Sequence, residues 1–302
     1  ESLNNSPFTM DEELFSVFYA STLIGNVLII ITTTVNTQLH TPMYFFLSNL
    51  SFLEILYISV TIPKMLINVL SQKISYGACF AQLFLFISFG QCESFLLALM
   101  AFDRYAAICQ PLRYMDIITQ RLCFQLVFFT WFASFLNSTL HTGLASRLLF
   151  CASHEISHFF CDITPLLKIS CMSTFINELV IFVAGVFVVL APFLCILVSY
   201  VYIIIAILMI STSKGRQKTF STCISHLAVV CIFYGTILLM YMRPASYSQD
   251  YNKIFAVIYT FITPLLNPFI YGLKNKDIKD SFKKVFRKTY LKTREISMYP
   301  SW

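Results

Sequence analysis

Charged residues are scarce in this chain. Asp, Glu, Lys and Arg make up 12% of its 302 residues, whereas a soluble globular domain carries about 25%. Hydrophobic residues make up 57%, against about 45–50% in soluble domains. A larger core does not explain the excess, because a soluble protein of this size still needs a polar surface. The shortage of charge therefore excludes a soluble globular domain and predicts a protein embedded in lipid.

Internal repeats and catalytic spacings are also missing from the sequence. We find no internal repeat, which argues against transporters built from duplicated halves. His40, His141 and His226 lie far apart and match no metal-ligand or Ser-His-Asp spacing. A transporter or channel, and a membrane enzyme, stay open as weaker alternatives. Nucleic-acid binding suits the net charge of +6, but not a chain this hydrophobic.

Long apolar segments predict the helices. A transmembrane helix needs about 20 predominantly apolar residues. The segments that meet this length are 14–36, 43–70, 77–109, 122–145, 176–211, 219–241 and 251–273. The predicted fold class is an all-α integral membrane protein, a bundle of seven transmembrane helices. An apolar stripe among lysines over 274–290 predicts a short amphipathic helix along the inner leaflet.

The basic residues divide unequally between the two sides. Of the 21 lysines and arginines, most fall at Arg104, in the connections 110–121 and 212–218, and after residue 273. Positive residues accumulate on the cytoplasmic side. We therefore expect an extracellular N-terminus over 1–13, a transmembrane domain over 14–273 and a cytoplasmic helix and tail over 274–302, in the plasma membrane.

The N-terminal stretch carries two further expectations. The chain begins Glu1-Ser2-Leu3, without Met or a signal-peptide pattern, so we expect a fragment or a processed form. Asn4 opens the sequon Asn4-Asn5-Ser6 and is a predicted glycosylation site.

Two carboxylates lie within predicted membrane helices, Glu54 in the second and Glu93 in the third. Asn26 and Asn267 are expected at a similar depth. A charge in hydrocarbon is costly and points to function, and two nearby carboxylates cannot both ionise cheaply without a partner. Three interpretations stay open: a bound cation, with sodium favoured; a shared proton; or solvation in a water-filled cavity. No other cofactor is expected.

Several motifs fall at helix ends. Asp103-Arg104-Tyr105 closes the third helix within 100–109, and Pro111-Leu112-Arg113-Tyr114 follows. Further motifs are Leu39–Leu47, His158–Asp162, Lys218–Leu227 and Pro264–Tyr271. Together they resemble the odorant-receptor branch of the rhodopsin-like G-protein-coupled receptors over about residues 20–290, and Thr41 resembles the tetrapod-type class (class II). Departures from the family pattern are Phe102 for Tyr, Ala106 for Val, Glu54 for Asp and Thr219 for Ala.

The resemblance implies an odorant receptor, not an enzyme, that activates a stimulatory, olfactory-type heterotrimeric G protein and raises cyclic AMP. It implies the disulfides Cys79–Cys161 and Cys151–Cys171. Arg104 would engage the G protein, while other residues rearrange as the sixth span swings. The residues assigned to coupling and activation are Asp103, Arg104, Tyr105, Tyr200, Lys218, Asn267, Pro268 and Tyr271. Pro192 and Pro268 each leave a helix carbonyl without its donor, which predicts bending points.

The ligand pocket is expected between the outer halves of spans three, five, six and seven. The candidate lining residues are Phe86, Ile87, Gly90, Gln91, Ser94, Tyr234, Ile237, Leu238, Tyr241, Val257 and Thr260. For any single one of them, ordinary helix packing is the alternative interpretation. The set is apolar, with few polar groups and no evident carboxylate facing the pocket. It therefore predicts a small, largely hydrophobic ligand with one hydrogen-bonding group.

Overall fold

The computed structural model describes residues 12–71, 75–150, 161–241, 263–274 and 278–282, which are mostly helical. The helices are α1 (Glu12–Val35), α2 (Pro42–Ser71), α3 (Tyr76–Cys109), α4 (Tyr114–Ile117), α5 (Gln120–Ala145), α6 (Ile163–Lys168), α7 (Phe175–Gly185), α8 (Ala191–Leu208), α9 (Ser213–Tyr241), α10 (Thr263–Lys274) and α11 (278–282). A π turn over Val186–Leu190 joins α7 to α8. Short 3-10 turns lie at Thr37–Leu39 and Pro111–Arg113.

Six of the predicted spans appear as helices long and apolar enough to cross a membrane. Within the described residues these stretches are Ser16–Val35, Pro42–Pro63, Tyr76–Cys109, Gln120–Ala145, Phe175–Leu208 and Ser213–Leu238. The second half of the predicted seventh span is α10, and its first half lies outside the described residues.

The predicted start of the sixth span is wrong. The helix α9 begins at Ser213, so residues 213–218, expected in a connection, are helical. Lys, Arg and Gln in this stretch are good helix formers. The apolar pattern locates the start of lipid contact, and the helix itself begins earlier.

The central helix of the bundle is α3. It contacts α2, α5, α8 and α9, while α1 packs against α2 and α10. The main core cluster includes Leu96, Leu97 and Met100 of α3, all fully buried. The buried side chains of α3 are therefore placed to meet side chains of neighbouring helices.

Apolar side chains also cover the outside of the bundle. Phe124, Phe128 and Phe132 recur every fourth residue along α5, and each is more than half exposed. Phe182 and Phe187 are exposed in the same way on span five. Large exposed apolar patches are rare on soluble monomers, so this surface fits contact with lipid.

Span five changes its helix type next to Pro192, the second residue of α8. Proline has no N–H, and its ring clashes with the carbonyl four residues earlier, which here is Val188. The π turn ends directly before α8, and prolines and π turns are both places where helices bend. The predicted irregularity at Pro192 thus has a structural counterpart, whereas Pro268 lies inside α10.

The predicted disulfide between Cys79 and Cys161 is confirmed, with a Cα–Cα distance of 5.3 Å. Cys171 is also disulfide-bonded, but Cys151 lies outside the described residues. An antiparallel bridge between Phe150 and Ser170 brings the two segments side by side. The pairing of Cys171 with Cys151 stays a prediction that this bridge supports.

The predicted amphipathic helix is described only as α11. Ile278 and Ser281 are buried, while Lys279 and Asp280 are exposed, as an amphipathic helix requires. Asn36 donates its Nδ2–H to Ser281 Oγ over 2.5 Å, which ties α11 to the first connection. The rest of the predicted stripe lies outside the described residues.

Candidate functional site

The bundle has two distinguishable ends. We call the end that holds Arg104 the basic end, and the end that holds the Cys79–Cys161 disulfide the disulfide end. The two carboxylates that the sequence singled out lie between the basic end and the disulfide end. There α1, α2, α3 and α10 each supply one polar side chain. Glu54 of α2 and Glu93 of α3 are 1% and 4% exposed.

Asn267 of α10 connects the two carboxylates. Its Nδ2–H donates to Glu54 Oε1, and its side chain also interacts with Glu93. Glu54 and Glu93 are close enough to repel each other electrostatically when charged. The structure thus brings together the polar residues that the sequence predicted to share one depth.

Four buried oxygen atoms of this cluster have no hydrogen-bond donor within the described residues. They are Asn26 Oδ1, Glu54 Oε2, Glu93 Oε1 and Asn267 Oδ1. The Nδ2–H of Asn26 already donates to Thr22 O over 3.1 Å. In the part of the chain that is described, no three His, Cys, Asp or Glu side chains cluster as a metal site. A bound cation would therefore need the two amide oxygens as well as the carboxylates.

Two candidate ligand residues, Ser94 of α3 and Tyr234 of α9, are hydrogen-bonded to each other. Their hydroxyl oxygens lie 2.9 Å apart, and Ser94 Oγ also donates to Val188 O over 2.7 Å. A serine hydroxyl has one hydrogen. Since Ser94 gives it to Val188, Tyr234 must be the donor to Ser94. One side chain of α3 thus connects spans five and six.

The other candidate ligand residues are placed less uniformly. Phe86 is buried, and Ile87 and Ile237 pack against the core. Gly90 and Gln91 are partly buried, and Gln91 Oε1 is a buried acceptor without a partner in the described chain. Leu238 is 50% exposed, so the structure does not bring it to the buried face of α9. The Tyr241 side chain, Val257 and Thr260 lie outside the described residues.

At the basic end, Asp103 is shared by two neighbours. Tyr114 of α4 donates its hydroxyl hydrogen to Asp103 Oδ1 over 2.7 Å, and Arg104 Nε lies 3.7 Å from Asp103 Oδ2. Partial burial and the Asp103 carboxylate both raise the pKa of the Tyr114 phenol, so the phenol keeps its proton and stays a donor. Because the 3.7 Å between Arg104 Nε and Asp103 Oδ2 is too long for a hydrogen bond, Arg104 is only loosely held by its neighbouring acid.

A second network at the basic end joins three spans. His226 Nε2 lies 3.1 Å from Leu97 O, and a carbonyl only accepts, so Nε2 carries the hydrogen. In the neutral ring Nδ1 then accepts, and Tyr200 OH lies 2.8 Å from it. Tyr200 therefore donates to His226, the nearer of its two acceptors, since Cys223 O lies 3.4 Å away, and α3, α8 and α9 are linked. The charge of Arg104 is close enough to act on Tyr200 and His226.

The remaining residues predicted for coupling are placed as follows. Tyr105 is partly buried, with its ring edge-on to Tyr202 at 5.9 Å. Tyr271 is buried, and its hydroxyl has no hydrogen-bond partner in the described chain. Pro268 lies beside Gly25 of α1. Lys218 lies in α9, but its side chain is outside the described part of the chain. Asn4 also lies outside the described residues.

Sequence reasoning assigned no role to His226, Tyr114 or Gln82. His226 and Tyr114 lie within motifs, but no pattern shows that they bond to Leu97 O and Asp103. Gln82 is a lone polar residue on an apolar helix and is 4% exposed. A buried amide must find partners, and that rule is the only sequence signal that could have singled it out.

Comparison with known proteins identifies relatives over nearly the whole chain. The olfactory receptor family profile matches residues 15–289. The chain is 49% identical over 275 residues to olfactory receptor 1f45 of Rattus norvegicus, covering 90% of this chain and 88% of the relative. It is 47% identical over 288 residues to olfactory receptor 1N1 of Homo sapiens, covering 93% of both. With olfactory receptor 5AP2 of Mus musculus the identity is 50% over 275 residues, covering 90% of this chain and 87% of the relative.

Proposed function

Since the chain belongs to the olfactory receptor family, we propose that small, largely hydrophobic odorants activate it and that it signals through a stimulatory heterotrimeric G protein to raise cyclic AMP. Family membership makes it a seven-helix, multi-pass G-protein-coupled receptor that senses odorants and is not an enzyme. The plasma membrane and an extracellular N-terminus belong to the proposal. Charge supports this orientation, since Arg104, Arg113 and Arg121 lie towards the basic end.

The network of Tyr200, His226 and Leu97 carries the coupling part of the proposal. It holds α8 and α9 against α3 beside Arg104, which is 17% exposed. A G protein that binds at the basic end needs access to Arg104. Moving α9 outward would break the bond between His226 and Leu97 O and open that access.

The bond between Ser94 and Tyr234 supports a ligand-binding role for the region above this network. A ligand with one hydrogen-bonding group that displaces Tyr234 would change the packing of α9 against α3. Gln91 Oε1, on α3 like Ser94, supplies a buried acceptor. The described lining is otherwise apolar, which suits a hydrophobic molecule with a single polar group.

A broad odorant panel in a cyclic-AMP reporter cell tests the proposed function. At least one odorant is expected to raise cyclic AMP, and Arg104→Ala is expected to abolish that response at measurable surface expression. Arg121→Ala, an exposed cation at the start of α5, is the matched control and should keep the response. An unchanged response in Arg104→Ala at equal expression would remove the role given to Arg104.

We also propose that Glu54 and Glu93 hold one cation, most simply sodium, with oxygens from Asn267 and Asn26. Two unpaired negative charges at this depth would be strongly unfavourable. A hard monovalent cation suits the four donor-free oxygens of this cluster. Ligand binding nearer the disulfide end would contract the cluster and expel the ion. Sodium and agonist would then oppose each other, since linkage is reciprocal.

Agonist dose–response curves in sodium and in a bulky organic cation, at two pH values, test the cation proposal. Sodium is expected to weaken agonist potency, and Glu93→Gln is expected to blunt that effect. Sensitivity to pH with little dependence on sodium would favour a shared proton instead. A full sodium effect in Glu93→Gln contradicts the shared cation.

A further inference from the structure

Gln82 bonds to two neighbouring elements at the disulfide end. Its Nε2–H donates to Val60 O of α2 over 3.3 Å, and its Oε1 accepts the backbone N–H of Cys161 over 3.2 Å. The residue is 4% exposed, so water competes little for either bond. A single neutral amide thus ties both α2 and the segment before α6 to α3.

Cys161 is attached to α3 at two points. Its sulfur is bonded to Cys79, three residues before Gln82, and its backbone N–H is held by Gln82 Oε1. A disulfide fixes the sulfur atoms but lets the backbone turn about the bonds of the cysteine side chain. The bond to Gln82 restricts that movement and holds the backbone of Cys161, two residues before α6, against α3.

The segment that begins at Cys161 adjoins the candidate ligand region at Ile87. Ile163 and Leu166 of α6 share a buried cluster with Phe80 and Leu83 of α3, and Ile87 packs against the same cluster. Ile87 is one of the candidate ligand residues. We call Cys161, Ile163 and Leu166 the roof, because a shift of these residues changes the space beside Ile87.

Gln82 also holds the turn of α2 that precedes Pro63. Val60 lies three residues before this proline, which is inside the helix. A proline in a helix removes one backbone hydrogen bond and pushes the preceding turn open. The bond from Gln82 supports this weakened turn and fixes the distance between α2 and the roof.

We propose that Gln82 is a positioning residue that sets the place of the roof over the ligand region, and so the length of odorant that the receptor accepts. The inference rests on the proposed function only for its effect on odorants. The chemistry requires a neutral amide, because one side chain must donate to a carbonyl and accept from an N–H at the same time. Methionine is of similar size, cannot donate and accepts only weakly.

The first test measures how fast a water-soluble phosphine reduces the Cys79–Cys161 disulfide in the intact receptor, followed by peptide mass spectrometry. Gln82→Met frees the backbone of Cys161 and is expected to raise the rate about tenfold, as the loss of a buried hydrogen bond allows. Gln82→Glu keeps the length and an acceptor for Cys161 N–H, but a carboxylate cannot donate to Val60 O, so its rate is expected between those of the wild type and Gln82→Met. Ser88→Ala, which removes a bond within α3 to Phe84 O, is the matched control.

The second test compares potencies for straight-chain aldehydes of increasing length. Gln82→Met is expected to change the ratio of potencies between long and short aldehydes, whereas Ser88→Ala should leave that ratio unchanged. If the wild type responds to no aldehyde, that result concerns only the choice of odorants. The reduction rates alone then decide the role of Gln82. Equal reduction rates in Gln82→Met and Ser88→Ala overturn the proposal.

A variant that fails to reach the membrane does not end the test. Gln82→Asn keeps the amide but is one methylene too short to reach both partners. Its reduction rate is expected between those of the wild type and Gln82→Met, and a rate equal to that of Ser88→Ala overturns the proposal.

Discussion

The hydroxyl of Ser94 donates to the carbonyl of Val188 over 2.7 Å, and Val188 lies four residues before Pro192. This carbonyl is the one whose α-helical donor the proline removes. A side chain of α3 therefore supplies the hydrogen bond that span five cannot make for itself. The same hydroxyl accepts from Tyr234, so the irregularity in span five is also connected to span six.

Replacement of Ser94 should destabilise the receptor. Ser94→Ala leaves Val188 O and Tyr234 OH unpaired in a buried place, at a cost of about 1–3 kcal/mol for each unsatisfied group. The midpoint of thermal unfolding in detergent should fall. Tyr234→Phe removes only one of the two bonds and should lower the midpoint less. A larger loss in Tyr234→Phe than in Ser94→Ala would contradict the central place of Ser94.

Gly25→Ala should destabilise the contact between α1 and α10. A Cβ at Gly25 would lie 2.9 Å from Pro268 Cβ, and the proline ring has little freedom to move. Alanine gains about 0.5–1 kcal/mol in helix propensity, whereas overpacking costs about 1–3 kcal/mol, so the clash should win.

Gly143→Ala is the matched control, since a Cβ there meets nothing within 4 Å. It should leave the midpoint of thermal unfolding unchanged or raise it. A higher midpoint in Gly25→Ala would show that α10 moves away at no cost.

Asp162 should make stability depend on pH. Burial raises the pKa of this carboxyl, which is 6% exposed, to about 6, although its bond from Ile163 N–H opposes the shift. Because the folded state raises its pKa, Asp162 loses its proton at a lower pH in the unfolded chain than in the folded one. This group therefore lowers stability as pH rises from about 3.8 to about 6, and its cost is complete above that window.

Asp162→Asn keeps an acceptor oxygen for Ile163 N–H but carries no charge. At pH 7.5 its free energy of unfolding should exceed that of the wild type by at most about 3 kcal/mol, which is measured as a higher midpoint of thermal unfolding. The difference should vanish near pH 4. The exposed Asp116→Asn serves as the control and should give no such pH-dependent difference. A constant difference at every pH would show that charge burial is not the cause.

Asn36 and Ser281 should couple in a double-mutant cycle. Their side chains meet over 2.5 Å between the first connection and α11, so the two alanine variants should together lose less stability than the sum of their separate losses. The expected coupling is about 1 kcal/mol, the net value of an ordinary hydrogen bond. Thr34→Ala, which removes a bond within α1, should add independently to Ser281→Ala. Strict additivity of Asn36→Ala and Ser281→Ala would mean that the contact contributes nothing.

The sequence by itself determined the class of protein and the approximate bounds of its spans. Lipid selects for composition, so about 20 apolar residues in a row identify a membrane helix without knowledge of its neighbours. Glu54 and Glu93 were likewise visible, because a carboxylate in such a run is costly wherever the helix packs. The Cys79–Cys161 pairing followed from family resemblance, and the start of α9 was misplaced because apolarity marks lipid contact and not helix ends.

Only the tertiary structure decided which polar groups meet. Ser94 finds Val188 O, His226 finds Leu97 O, and Gln82 joins Val60 to Cys161. Each of these bonds uses a backbone atom of another element, and every residue has such atoms, so no sequence pattern identifies the partner. The rotation and depth of the packed helices select it, because a buried polar group must be satisfied by whatever donor or acceptor lies within reach.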